Sequence, residues 1–312
     1  MIFEVNLITI DLNFYVMSKK IIVVTGGAGF IGSNLIHEFI NRKIYKKYNI
    51  ISIDDYSSGK VSNHIKNKNI KYIKSNTNKI EKVLEKYKKK IKVIFHFGEF
   101  SRIYQSFIKF NQCLNSNVLG SKAVFNFCLK NKIKLVYSAT SASLGNNGKD
   151  KDLSPYAFTK SKNLEFLENL RKWFKFKFEV IYFFNVYGKN QIENGDMATV
   201  IGIFERQYRE NKPITVVKPG SQTRRFTYIN DTINICIEAW KKNKCKHYSI
   251  SSKETFSIKQ IAEMFGGRIK FLPPRKGERY ASVLTKMNLN KNVILRVGKS
   301  KISDYIKNIT KK

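Results

Sequence analysis

Cysteine, histidine, proline and tryptophan are all scarce in this 312-residue chain, at four, four, five and two residues respectively. Cys113, Cys128, Cys236 and Cys245 show no CxxC spacing and lie in mostly apolar stretches. That pattern excludes a disulfide framework and a zinc site, and it suits reduced thiols in a cytosol. His37, His64, His96 and His247 are scattered without ligand spacing, so no metal is expected. No apolar run reaches the roughly 18 residues that a membrane span needs. The first 16 residues carry Glu4 and Asp11 but no lysine or arginine, unlike the basic start of a signal peptide. A cytoplasmic protein without a membrane span is expected, with residues 1–19 as an N-terminal extension outside the chemistry.

Acidic residues are also few: 23 Asp and Glu against 58 Lys and Arg give a net charge of +35. A field of that sign can bind nucleic acid or an anionic membrane. The lysines, however, are spread along the whole chain among Asn and Ile, and no basic stripe alternates with stacking aromatics. No nucleic-acid partner is therefore expected, although the field would attract a nucleotide diphosphate. The 42% hydrophobic content suffices for a sizeable core.

What is present is a glycine turn in a telling place. Ile21 to Thr25 read as a buried strand that empties into Gly26-Gly27-Ala28-Gly29-Phe30-Ile31-Gly32 and then a helix. Gly26 permits the tight turn, Gly29 lets backbone amides approach a pyrophosphate, and Gly32 allows close packing of helix on strand. Phe30 and Ile31 fall on the helix N-terminus that would face the anion. At the end of the next strand, Asp54 lies where an acceptor for the adenosine ribose belongs. Asp55, Ser58 and Gly59 form the turn beyond it. An acid at position 54 repels a 2′-phosphate and no arginine follows, so NAD is favoured over NADP.

Short β-branched runs alternate with amphipathic stretches through the first half. Strands are expected at 20–25, 49–53, 70–74, 91–97, 133–139 and 178–184, and helices at 30–42, 78–89, 111–131 and 154–173. After Gly188 the rhythm loosens, with turns at Lys212-Pro213, Pro219-Gly220 and Pro273-Pro274 and short helices near 231–242, 257–265 and 301–309. The expected fold class is α/β: a doubly wound parallel Rossmann sheet over 20–187, then a smaller C-terminal α/β substrate-binding domain over 188–312. Some of that second segment should cross back to the sheet.

The segment Ser154-Pro155-Tyr156-Ala157-Phe158-Thr159-Lys160 places Tyr156 and Lys160 four apart at a helix start, on one face. An ammonium beside a phenol, reinforced by the positive nicotinamide, lowers the tyrosine pKa and lets the phenolate take a proton from a sugar hydroxyl. A hydroxyl at the end of the preceding strand, Thr140 or Ser141, can hydrogen-bond the same oxygen; Thr140 is favoured.

With these residues the chain resembles the extended short-chain dehydrogenase/reductase family, in particular its nucleotide-sugar epimerases and dehydratases, over roughly residues 20–310. The resemblance rests on the glycine turn, His96-Phe97-Gly98, Asn117-Val118-Leu119-Gly120, Tyr156 to Lys160, Phe184 to Gly188, and Gly220 to Phe226. It implies Asp54 on the adenine ribose, Phe97 and Gly98 along the cofactor channel, and Lys160 on the nicotinamide ribose. Asn117 and Phe183 join the cofactor set, and Asn76 stands where the family carries an acid near adenine. Ser101, Asn185, Arg224 and Arg275 are implied for the substrate, and Ser282 for the position that gates N-acetylhexosamines. A homodimer through helices 111–131 and 154–173 is implied too.

Dehydratases of the family carry an Asp-Glu pair, and decarboxylases a Glu, just after the strand-end hydroxyl; here Ser141-Ala142 stand there. Simple oxidation and re-reduction at C4 of a UDP-hexose or UDP-N-acetylhexosamine is therefore the leading expectation. Glu99 is the one acid that could substitute and keep a 4,6-dehydratase in play. Gly195 to Ala198 also loosely resemble ADP-heptose 6-epimerases. A non-catalytic NAD-sensing or nucleic-acid-binding protein would have no need of Tyr156, Lys160 and a strand-end hydroxyl together.

Overall fold

The computed structural model describes residues 19–141, 150–277 and 293–311. The alternating pattern folds into strands Lys20–Thr25 (β1), Tyr48–Asp54 (β2), Ile70–Lys74 (β3), Ile91–His96 (β4), Lys134–Thr140 (β5) and Phe178–Phe183 (β6). They pair in the order β3-β2-β1-β4-β5-β6, and strands His247–Ser251 and Val293–Val297 continue the sheet beyond β6. Among the described residues the sheet thus has eight strands, all paired in parallel.

A parallel strand covered on both faces must be apolar on both. In β1, Ile21 and Val23 join one hydrophobic cluster with Ile51, Leu135 and Tyr137, whereas Ile22 and Val24 join another with Ile50, Val93 and Phe95. Strand order reverses between β1 and β4, so a crevice opens there at the carboxyl ends of the strands.

Several elements differ from the periodicity reading. The stretch expected as one helix over 78–89 breaks into a 3-10 turn Thr77–Lys79, a short helix Ile80–Leu84 and a second 3-10 turn Glu85–Tyr87. The next helix begins earlier, as Ile103–Ile108 and Phe110–Leu114, and passes through a π turn Asn115–Gly120 before Ser121–Lys130. The wide turn buries Asn117, which an unbroken apolar period does not anticipate. Helix Val200–Arg209 lies outside the expected elements.

That helix builds a smaller lobe, in which Phe204, Phe226, Ile261, Phe265 and Ile306 form a third cluster. Strands Ile214–Val217 and Ile269–Leu272 pair in parallel within it. Helix Ile229–Lys242 instead packs on the main sheet through Ile233, Ile235 and Ile237. The chain after residue 188 therefore alternates between lobe and sheet. No described helix is long and apolar enough to cross a membrane.

Candidate active site

The glycine turn has the geometry that its spacing demands. Gly26 adopts φ +70°, and a Cβ there would lie 2.8 Å from the amide nitrogen of Gly98. A Cβ on Gly32 would lie 2.2 Å from the carbonyl oxygen of Gly26, so helix Phe30–Asn41 packs directly on the turn. No side chain caps that helix and its first turn holds no acid. Its open amides and positive dipole end face a cleft of about 860 Å³ between the sheet and the smaller lobe. This donor set fits the pyrophosphate of a dinucleotide.

Along the same cleft lie Gly26, Gly29, Phe30, Ile31, Gly32, Asp54, Asp55, Ser58, Asn76, Phe97, Gly98 and Phe183. Asp54 is buried and accepts from the backbone amides of Ala28 at 2.9 Å and Tyr56 at 2.8 Å. Burial raises its pKa, partly offset by those two bonds. Asp55 is exposed and accepts from the Ser57 amide at 2.9 Å, the turn-forming role its position suggested. Gly59 packs beside Asp54, where a Cβ would lie 2.7 Å from the carboxylate, and does not itself line the cleft. Asn117 stands behind the wall instead of in it. Fully buried, it accepts from the Phe100 amide at 2.7 Å and donates to the Phe100 carbonyl at 3.1 Å and Thr159 Oγ1 at 3.2 Å. It therefore orders the loop that follows β4.

Ser154 caps helix Pro155–Phe174, accepting from the Ala157 amide at 3.1 Å, with a proline at the first helical position. This start sends both Tyr156 and Lys160 into the cleft, beside Thr140 and Ser141 at the end of β5. Tyr156 is 9% exposed and Lys160 3%. The lysine ammonium donates to the Ser138 carbonyl at 2.5 Å, lies 4.7 Å from the centre of the Tyr137 ring, and forms an ion pair with Glu99.

The sequence offers Glu99 only as a substitute acid, and its surroundings assign it differently. Its side chain is 2% exposed. Besides Lys160, it accepts from Ser121 Oγ at 2.7 Å, Tyr137 OH at 3.1 Å, Asn163 Nδ2 at 3.2 Å and Ser138 Oγ at 3.4 Å. Burial works to raise its pKa, but the Lys160 charge and these bonds outweigh it and hold the carboxyl below its ordinary range. His96 lies behind, with Nδ1 2.7 Å from Thr25 Oγ1 and Nε2 3.1 Å from Ser121 Oγ. Burial pushes its pKa down to about 4.

On the substrate side Ser101, Asn185, Arg224 and Arg275 all line the cleft. Asn185 sits at φ 38° and donates to the Arg225 carbonyl at 2.8 Å. Arg224 is 9% exposed, and the Arg275 guanidinium lies 5.4 Å from the centre of the Tyr104 ring. Ser282 and the loop after Ser141 lie outside the described residues. Sequence reasoning missed Arg102, which donates through Nε at 2.9 Å and Nη2 at 2.6 Å to the Met197 carbonyl and braces the loop closing this end. It also missed Ser138. An arginine and a serine flanking the His96 and Thr140 segments carry no spacing signal of their own.

A doubly wound sheet, a glycine cradle at its switch point and a Tyr-Lys pair beside it define a dinucleotide-dependent enzyme class. Residues 22–251 match the model of the NAD dependent epimerase/dehydratase family, and the chain belongs to that family, with NAD as its cofactor. It is 32% identical to an uncharacterized UDP-glucose epimerase of Bacillus subtilis over 235 residues, 68% of this chain and 70% of that protein. An ADP-L-glycero-D-manno-heptose-6-epimerase of Brachyspira hyodysenteriae is 30% identical over 236 residues, 69% of this chain and 70% of that one. The solved UDP-N-acetylglucosamine 4-epimerase of Methanobrevibacter ruminantium, in complex with UDP-N-acetylmuramic acid, aligns with a TM-score of 0.79. Its identity is 25%, with 95% of this chain and 98% of that chain covered.

Proposed function

We propose that the protein is a nucleotide-sugar 4-epimerase acting on a UDP-hexose or UDP-N-acetylhexosamine. The observation that carries this reading is the state of the carboxylates. Among the described residues lining the cleft, the acids are Asp54, Asp55 and Glu99. The first two lie at the end of β2, and the third is ion-paired to Lys160 and holds hydrogen bonds from four other side chains. Elimination across C5 and C6 needs a free acid and base near the sugar, and none of these three is free there. Oxidation and return at C4 needs only a base for the hydroxyl proton.

In this mechanism Tyr156 takes the C4 hydroxyl proton, assisted by the Lys160 ammonium and by hydrogen bonding from Thr140. NAD, when bound, supplies the acceptor for the C4 hydride and gives the hydride back. The 4-keto sugar turns within the pocket, Tyr156 returns its proton, and the other face of C4 is reduced, so no net oxidation occurs. Arg224 and Arg275 grip the diphosphate as forked donors, and Asn185 and Ser101 contact the substrate between them.

The likeness to an ADP-heptose 6-epimerase supports a second reading, the same oxidise-and-return cycle at C6. A homodimer is part of the proposal. Leu119 at 51% exposure and Phe158 at 46% leave apolar surface uncovered on the two helical segments that would form it. Incubation of the purified protein with UDP-glucose, UDP-N-acetylglucosamine or ADP-heptose, followed through the anomeric proton signals by NMR, tests the assignment. Appearance of the 4-epimer of a UDP-sugar without added reductant is expected. Conversion of ADP-heptose alone would transfer the assignment to the second reading, and no conversion of any of them would end both.

A further inference from the structure

We propose that Glu99 is a positioning residue for the reaction: it clamps the Lys160 side chain against the end of β5 and supplies the counter-charge that supports its ammonium form. The inference rests on the epimerase reading for its catalytic consequence, but the clamp itself is a matter of geometry. Lys160 has three N–H donors. Two are spent on the Ser138 carbonyl and on Glu99, from elements 22 and 61 residues away in sequence. A buried ammonium without a counter-charge sheds its proton readily, because desolvation penalises the charged form.

Burial lowers the Lys160 pKa, and the charge and hydrogen bond of Glu99 offset part of that lowering. The titratable side chains facing the pair are His96 on β4, Tyr137 on β5, Cys113 on helix Phe110–Leu114, and Tyr156 on the lysine's own helix, with Arg102 beside Tyr156. Burial leaves His96 uncharged above about pH 4, pushes Cys113 up to about 11 and raises Tyr137 well above its ordinary value. Of His96, Cys113, Tyr137 and Glu99, the group that carries negative charge around neutrality is therefore Glu99.

The hydrogen bonds behind the carboxylate keep it ionised. A carboxylate only accepts, so the Ser121 hydroxyl donates to Glu99 and its oxygen accepts from His96 Nε2–H. His96 Nδ1 then accepts from Thr25 Oγ1, which in turn accepts from the Gly98 amide at 3.1 Å. Every donor in this chain points toward Glu99, and the chain ends on the residue that faces Gly26. The carboxylate that holds the catalytic lysine is thus braced from the cofactor turn itself.

The test is a titration of Lys160 in the purified protein with its bound NAD, by trace labelling with acetic anhydride across pH and peptide mass spectrometry. Relative to the unmodified protein, Glu99→Gln is expected to lower the half-labelling pH by about one to three units. Glu99→Asp, which keeps the charge but withdraws it by one methylene, is expected to shift it less in the same direction. The alkaline limb of kcat/KM should move with the labelling. An unmoved half-labelling pH in a folded Glu99→Gln protein overturns the proposal. Should that variant fail to fold, an unmoved value in Glu99→Asp does the same. Labelling needs no turnover, so absence of epimerisation sinks the functional reading while leaving this one decidable.

Discussion

Asp54 accepts a hydrogen bond from the backbone amide of Ala28 at 2.9 Å, which ties the end of β2 to a glycine turn 26 residues earlier. The residue proposed to hold the adenosine ribose is thereby fixed relative to the turn proposed to hold the pyrophosphate. A neutral amide at this place keeps the shape but loses the charge. Asp54→Asn is expected to weaken NAD binding by roughly 10-fold or more, the worth of a hydrogen bond to a charged acceptor. It should also narrow the preference for NAD over NADP. Titration calorimetry with both nucleotides measures this; unchanged discrimination would remove Asp54 from the ribose site.

Thr140 and Ser141 both line the cleft at the end of β5, 7% and 4% exposed. If Thr140 supplies the hydroxyl beside Tyr156, Thr140→Ala should lower kcat by about 10- to 100-fold with little change in KM, and Ser141→Ala should not. Tyr156→Phe should lower kcat by about 100- to 10,000-fold while NAD stays bound. A larger loss from Ser141→Ala than from Thr140→Ala would reverse the assignment of the hydroxyl.

His96 is fully buried and its pKa is pushed down from 6.5 to about 4. Below pH 6.5 the unfolded chain takes up a proton that the folded protein refuses, so stability is lost as pH falls through the window from 6.5 toward 4. The loss between pH 7 and pH 5 is about 2 kcal/mol from this residue. Urea denaturation at the two pH values measures it. His96→Asn, though less stable at pH 7, should show a flatter dependence on pH; an equal slope in both proteins would contradict the assignment.

Leu119 is exposed on the π turn Asn115–Gly120 and Phe158 on the first turn of helix Pro155–Phe174. Static light scattering at micromolar concentration is expected to give a dimer, and Leu119→Lys with Phe158→Lys a monomer. A monomeric unmodified protein would remove the dimer from the proposal.

Much of the cofactor half of the site is legible in the sequence because its parts are close along the chain. Gly26, Gly29 and Gly32 lie within seven residues at one strand-to-helix junction, and Tyr156 and Lys160 are one helical turn apart, so local chain geometry sets their mutual placement. Asp54 follows at the end of the next strand, where parallel winding leaves little choice of position. Asn117 shows the opposite case. Its place in a motif suggested the cofactor wall, but a π turn rotates it into the core, and only the packing of Phe100 and Thr159 around it shows that.

The same division applies to the chemistry. By itself the sequence determined the doubly wound sheet, the glycine turn and the placing of Tyr156 and Lys160 on one helix face, because each depends on short-range periodicity and spacing. Tertiary structure alone decided that Glu99 belongs to Lys160, and that the expected return to the sheet is made by strands His247–Ser251 and Val293–Val297. Those pairings join residues tens of positions apart, and which carboxylate meets which ammonium is set by where the folded strands end.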